Sequence, residues 1–214
     1  QNKKSYETES KIKGKQKDIK KAVKIISNAD KIVIIAGGGI KYTSKYKDVI
    51  KLAELINIPI VTAAGHGDSI PFNHKLNAGQ MGPRGNPVAS KLTKEADVII
   101  AIGTRLGFNS TFYTYDNLNK KAKIIQIELE KKMLGRYFPI SLEICADAAT
   151  ATNQLYQEIK KQKVNTNIKN WTNNFLKERK TSLSNRDNDK SLNKFPIQPS
   201  GLFKQLRKVL PKNS

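Results

Sequence analysis

The sequence predicts an α/β domain built on a parallel β-sheet with helices on both faces, and three observations carry that prediction. Short runs rich in Ile, Val and Ala recur at 32–36, 58–63, 98–102, 124–127 and 140–145. Stretches with apolar residues at helical spacing lie between or beside them. The first run, Ile32–Ala36, holds no polar residue, as expected of a strand buried on both faces. Strands alternating with helices of 10 to 15 residues describe βαβ units, and the crossovers make the sheet parallel.

Each element follows from its local pattern. From about Asp18 a helix is predicted, with Ile19, Ala22, Val23, Ile26 and Ala29 on one face. The strand 32–36 then meets Gly37-Gly38-Gly39, where the chain must turn tightly. The segment 44–58 places Tyr46, Val49, Ile50, Leu52, Ala53 and Ile56 at i, i+3 and i+4 spacings, a second helix. After the run 58–63 comes a Gly/Pro/Asn-rich loop, 65–87, in which a sixth strand is expected near Leu76–Gly79. A helix starts near Pro87, strands follow at 98–102, 124–127 and 140–145, and residues 146–162 form an evident helix. Beyond about Lys163 the chain turns polar, with Trp171, Phe175 and Leu176 as anchors and one helical stretch. Near the end, Ser200 is placed to cap an amphipathic helix carrying Leu202, Phe203, Leu206, Val209 and Leu210.

Composition bounds the function. The 214 residues suffice for one ordinary domain with extensions. The formal charge is +21, but 33 of the 39 basic residues are Lys and only six are Arg, with 19 Asn beside them. Recognition of phosphates and base edges favours the Arg fork, so the charge reads as solvated lysine and a nucleic-acid partner is not expected. No apolar run is long enough to span a bilayer, and no membrane association is expected. The single Cys145 fits a reducing cytoplasm, and at the end of a strand it reads as packing. The chain begins with Gln and stops just after an amphipathic helix, which reads as a piece of something longer.

The glycines and the strand ends supply the candidate binding residues. Gly37 and Gly39 match two positions of a dinucleotide fingerprint, but Tyr42 occupies the third and no carboxylate ends the run 58–63. Gly79, Gly82 and Gly85 precede the helix at Pro87, either as an anion-binding nest beside Met81 or as an ordinary loop. Gly103 and Arg105 follow the run 98–102, at the carboxyl edge where open α/β sheets bind ligands, and Arg105 is suited to hold a phosphate. Glu128 and Glu130 end the run 124–127 and are suited to accept ribose hydroxyls. His66 and His74 lack partners at zinc-ligand spacing, and neither has a Ser or Asp positioned for nucleophilic catalysis, so no metal and no catalytic residue is expected.

Taken in order, "ADKIVIIAGGGI", "AELINIPIVTAAGHGDSIPFNHKLNAGQMGPRG", "EADVIIAIGTRL" and "AKIIQIELE" resemble the central domain of thiamine-diphosphate-dependent enzymes of the acetolactate synthase type. The resemblance runs from about Asp18 to Ile159 and more loosely through Trp171 and "FPIQPSGLFKQLRKVLP". Within that superfamily, Lys132-Met133-Leu134-Gly135 and Ile144-Cys145-Ala146-Asp147 are most similar to sulfoacetaldehyde acetyltransferase.

The resemblance implies a Rossmann-like sheet of six parallel strands. It divides the chain into a linker at 1–17, the central domain at 18–162, a linker at 163–198 and the truncated opening of a thiamine-diphosphate-binding domain at 199–214. It implies a three-domain subunit that forms a homodimer or homotetramer, with thiamine diphosphate and Mg²⁺ held by the flanking domains. The cofactor supplies a thiazolium ylid that serves as nucleophile and electron sink. The resemblance further implies that the complete enzyme converts sulfoacetaldehyde and phosphate to acetyl phosphate and sulfite. The diphosphate motif Gly-Asp-Gly occurs nowhere in the sequence, so the isolated chain is expected to be inactive. In relatives that bind FAD or ADP at the central domain, the matching positions here are Gly37, Gly38, Gly39, Met81, Gly82, Gly85, Gly103, Arg105 and Glu128. At the last of these the usual Asp is replaced by Glu.

Overall fold

The computed structural model describes residues 12–42, 46–188 and 195–211. Most of the expected lead segment 1–17, the start of the helical segment 44–58, part of the linker 163–198 and the last three residues lie outside these. Two compact units divide the chain, Gln1–Leu176 and Lys177–Ser214.

The first unit opens with α1 (Gln16–Ser27), whose Ile19, Ala22, Val23 and Ile26 are fully buried. β1 (Ile32–Ala36), α2 (Gly38–Tyr42), α3 (Tyr46–Leu55), β2 (Ile60–Thr62), β3 (Asn77–Gln80) and α4 (Pro87–Glu95) follow. Then come β4 (Val98–Ile102), α5 (Phe108–Thr111), β5 (Lys123–Glu128), β6 (Leu142–Cys145), α6 (Ala148–Gln162) and the start of α7 (Lys169–Asp187), a helix that crosses the boundary between the units. The six strands form one sheet in the order β3-β2-β1-β4-β5-β6, and every pairing is parallel. The chain winds outward from β1 through β2 to β3, then returns to β4 and winds the other way. The topological switch therefore lies between β1 and β4.

Every residue of β1 and β4 is buried, so both faces of the sheet centre are covered. α1 and α3 both pack against α6. The amino edge of the sheet is tied by Asp97, which accepts from Asp30 N (Oδ2, 2.9 Å) and Lys31 N (Oδ1, 3.0 Å). Trp171 closes the same edge, its Nε1–H donating to Ile32 O at 2.9 Å. Residues 12–14 run along α6: Gly14 N donates to Gln154 Oε1 (2.9 Å) and Gln154 Nε2 to Gly14 O (3.0 Å).

Local chemistry sets the ends of the elements. Pro59 lacks an N–H, and β2 begins at Ile60 although the apolar run starts at Ile58. α4 carries Pro87 in its first turn and is capped by Asn86, whose side chain accepts from Val88 N at 2.8 Å. The glycine triplet is more than a bend, because α2 starts within it at Gly38. Cys145 is exposed rather than packed: β6 is an edge strand, and its Glu143 and Cys145 face outward while Leu142 and Ile144 face the core.

In the second unit, α8 (Pro199–Val209) has Gln198 at its N-cap, with Pro199 in the first turn and Ser200 already helical. The expected cap at Ser200 is displaced two residues because Pro199 needs no intrahelical acceptor for a missing N–H. Leu202, Phe203, Leu206, Val209 and Leu210 are all exposed.

Candidate functional site

A pocket of about 450 Å³ opens at the carboxyl ends of β1, β2, β4 and β5, over the switch point. Its floor is backbone. Gly37 N donates to Ile102 O (2.9 Å) and Gly39 N to Gly103 O (3.0 Å), which brings the first turn of α2 against the end of β4. That approach requires glycine. A Cβ on Gly103, which adopts φ +58°, would stand 2.8 Å from Gly39 Cα, and one on Gly37 would strike Gly103 O.

Polar groups line the walls. Arg105 leans outward with its Nη2 3.5 Å from Glu130 Oε2, both side chains about half exposed. Ser110 is buried, and its Oγ accepts from Ala64 N at 3.0 Å, which draws α5 onto the end of β2. Thr104 Oγ1 accepts from Leu106 N at 3.3 Å. Buried Gln126 braces the rim by donating to Thr104 O (3.1 Å) and Met133 O (3.3 Å) and accepting from Gly135 N (2.8 Å). Glu128 folds back on its own backbone, Oε1 accepting from Leu129 N (2.9 Å) and Glu130 N (3.4 Å).

His66 lies flat against Gly38, where a Cβ would stand 2.8 Å from its Cε1. Its Nδ1 is buried without a hydrogen-bond partner among the described residues. Beyond it, the Lys41 ammonium sits 2.7 Å from Asp68 Oδ2, and the hydrogen bond from Lys41 holds the Asp68 carboxyl below its ordinary range.

Of the residues the sequence nominates, Gly38, Gly39, Gly103, Arg105 and Glu128 line this pocket. Gly37 lies beneath it, packed on Gly103 and Thr104. Met81, Gly82 and Gly85 stand elsewhere. Met81 is fully buried, and its N–H donates to Thr62 O at 2.9 Å. Gly82, at φ +109°, packs so closely that a Cβ on it would stand 2.9 Å from Asn109 O, and Gly85 packs on the backbone of Gln80 and Met81. His66, Thr104, Phe108 and Ser110 join the lining although the sequence gives no binding signal for them. For Thr104 alone, its place just after β4 is a clue, since the first residues beyond a strand's carboxyl end reach the rim.

The pocket offers a guanidinium, hydroxyls and bare glycine backbone for close approach, and it sets no hydrogen-bonded Ser–His pair among the described residues. It does not fit thiamine diphosphate with a metal ion. The one carboxylate in the lining is engaged by its own backbone, and among the described residues no three His, Cys, Asp or Glu side chains converge on a metal-sized site.

Comparison with known proteins gives the family. Residues 19–155 match the family described as thiamine pyrophosphate enzyme, central domain. A probable acetolactate synthase large subunit of Methanococcus aeolicus is 31% identical over 92% of this chain and 33% of its own length. A sulfoacetaldehyde acetyltransferase of Castellaniella defragrans is 36% identical over 64% of this chain and 23% of its own length. An acetolactate synthase large subunit of Buchnera aphidicola is 30% identical over 92% of this chain and 34% of its own length. The chain thus spans between about a quarter and about a third of the length of these curated relatives. The matched stretch runs from α1 into α6 and takes in all six strands and the pocket, so the chain belongs to the thiamine pyrophosphate enzyme central-domain family.

Proposed function

We propose that these 214 residues are the middle, scaffolding part of a thiamine-diphosphate- and Mg²⁺-dependent acetyltransferase that turns sulfoacetaldehyde and phosphate into acetyl phosphate and sulfite. The observation that carries the reading is the match over residues 19–155, combined with a pocket that has no place for the cofactor. The cofactor and its metal are held by flanking domains, the isolated chain turns over no substrate, and the subunit works as a homodimer or homotetramer in the cytoplasm. On this reading the domain boundaries fall near residues 18, 162 and 199. The described residues contain no helix long and apolar enough to cross a membrane.

Acetolactate synthase is the second reading, favoured by similarity that extends over 92% of the chain rather than 64%. Assaying the complete polypeptide separates the two. Sulfite and acetyl phosphate from sulfoacetaldehyde support the acetyltransferase, whereas acetolactate from pyruvate alone overturns it.

The pocket itself is proposed to hold the diphosphate of a nucleotide such as ADP, or the ADP half of FAD, with Arg105 and the Gly38–Gly39 backbone at the phosphates. The guanidinium and the missing side chains at the switch point support this. Calorimetry of the chain with ADP and with FAD tests it, and no heat with either removes it.

A further inference from the structure

Phe108 stands at the mouth of the pocket with about half its surface exposed, and it is braced from behind. The ring of Phe112 lies 4.8 Å from it, centroid to centroid, and that of Tyr113 lies 5.6 Å away. Tyr113 in turn stacks on Tyr137 at 4.5 Å. Phe112 and Tyr113 themselves remain about half exposed, so core burial does not explain the cluster.

The brace is built on unusual backbone angles. Leu106, Phe112 and Tyr113 all adopt left-handed backbone angles, with φ of 51°, 51° and 57°. Buried Thr111 fastens the turn: its hydroxyl donates to Leu106 O (3.2 Å) or Gly107 O (3.1 Å) and accepts from Tyr113 N (3.1 Å). Three bulky residues in that region, buried Leu106 and half-exposed Phe112 and Tyr113, shape the turn that holds one ring at a pocket also lined by an arginine and glycine backbone.

We infer that Phe108 is the stacking platform for the planar base of the pocket's ligand, and that it makes the site prefer a nucleoside diphosphate over bare pyrophosphate. The inference rests on the nucleotide reading of the pocket given above. Pyrophosphate meets Arg105 and the glycine floor only, whereas a nucleoside diphosphate adds a π-face to lay on Phe108. Stacking tolerates any base, so ADP and GDP bind alike.

The experiment is calorimetry of the 214-residue chain with ADP, GDP and inorganic pyrophosphate. Wild type, Phe108→Ala and Phe108→Trp are compared, with circular dichroism as the folding control. Wild type is expected to bind both nucleotides between about 5-fold and about 100-fold more tightly than pyrophosphate. Phe108→Ala removes that preference and leaves pyrophosphate affinity unchanged, and Phe108→Trp restores it. An ADP preference that survives Phe108→Ala overturns the platform while leaving the pocket reading intact. Equal losses for ADP and pyrophosphate in Phe108→Ala also overturn it, because they mean that the ring only packs. Failure of wild type to bind any of the three overturns the nucleotide reading itself, and the platform with it.

Discussion

Replacing Gly103 with alanine attacks the contact on which the pocket floor rests. Two costs combine. An alanine held at φ +58° pays about 1–2 kcal/mol for the left-handed conformation. Its Cβ would also stand 2.8 Å from Gly39 Cα and 3.1 Å from Gly39 N and C, so backbone rather than a yielding side chain must move. Overpacking of that kind costs about 1–3 kcal/mol. The sum is about 3 kcal/mol, a large share of the ~5–15 kcal/mol that stabilises a domain. Trp171 is the only tryptophan and bonds to the first residue of β1, so its fluorescence during urea unfolding reports on the sheet. Gly107→Ala is the control. Gly107 lies at φ −76° with nothing within 4 Å of its would-be Cβ, and the change should stay within about 0.5 kcal/mol. If Gly103→Ala loses no more stability than Gly107→Ala, the close approach of α2 to β4 is not a structural requirement and the geometry of the floor is wrong.

Other substitutions probe other links. Asp97→Ala removes both hydrogen bonds that tie the amino ends of β1 and β4, and urea unfolding should show a loss of about 1–3 kcal/mol. Arg105→Ala should weaken ADP binding about tenfold in calorimetry while leaving the unfolding midpoint in place, because the side chain is more than half exposed. Tyr113 shares a hydrogen bond with Tyr137, which raises its pKa. In an ultraviolet titration Tyr137→Phe should bring Tyr113 back down toward the ordinary tyrosine value. Asp68 has its pKa lowered by Lys41, so any stability from the pair is present above the ordinary carboxylate range and is lost as pH falls through the depressed value. The pair is mostly exposed and therefore screened, and Asp68→Asn should shift stability at pH 7 by less than about 0.5 kcal/mol.

The legible parts of the fold are those where local sequence and burial agree. β1 and β4 coincide residue for residue with their apolar runs, because neither carries a polar interruption and both are buried on both faces. The face predicted for α1 is the face that is buried. β3 is harder to read, since Asn77, Gly79 and Gln80 carry no strand pattern and become a strand by pairing with β2. Long-range pairing of that kind leaves no periodic trace.

The pocket divides in the same way. Gly103 and Arg105 follow β4 directly and could be placed at the rim from chain order alone. Ser110 and Phe108 reach the pocket because α5 folds back toward Ala64 at the end of β2, a contact between residues 46 positions apart that no spacing encodes. Gly79, Gly82 and Gly85 show the converse. Their spacing resembles an anion nest, yet Gly82 and Gly85 are consumed by close packing, and Asn86 caps α4 with its own side chain.

The most direct test is to titrate thiamine diphosphate with Mg²⁺ into the purified 214-residue chain, following heat and the fluorescence of Trp171, and then to add sulfoacetaldehyde and phosphate and measure sulfite. A scaffold whose reactive partners lie in flanking domains gives no saturable binding of the cofactor and no sulfite above background. Saturable binding, or sulfite released by the chain alone, would place the active centre within these residues and contradict the proposed role.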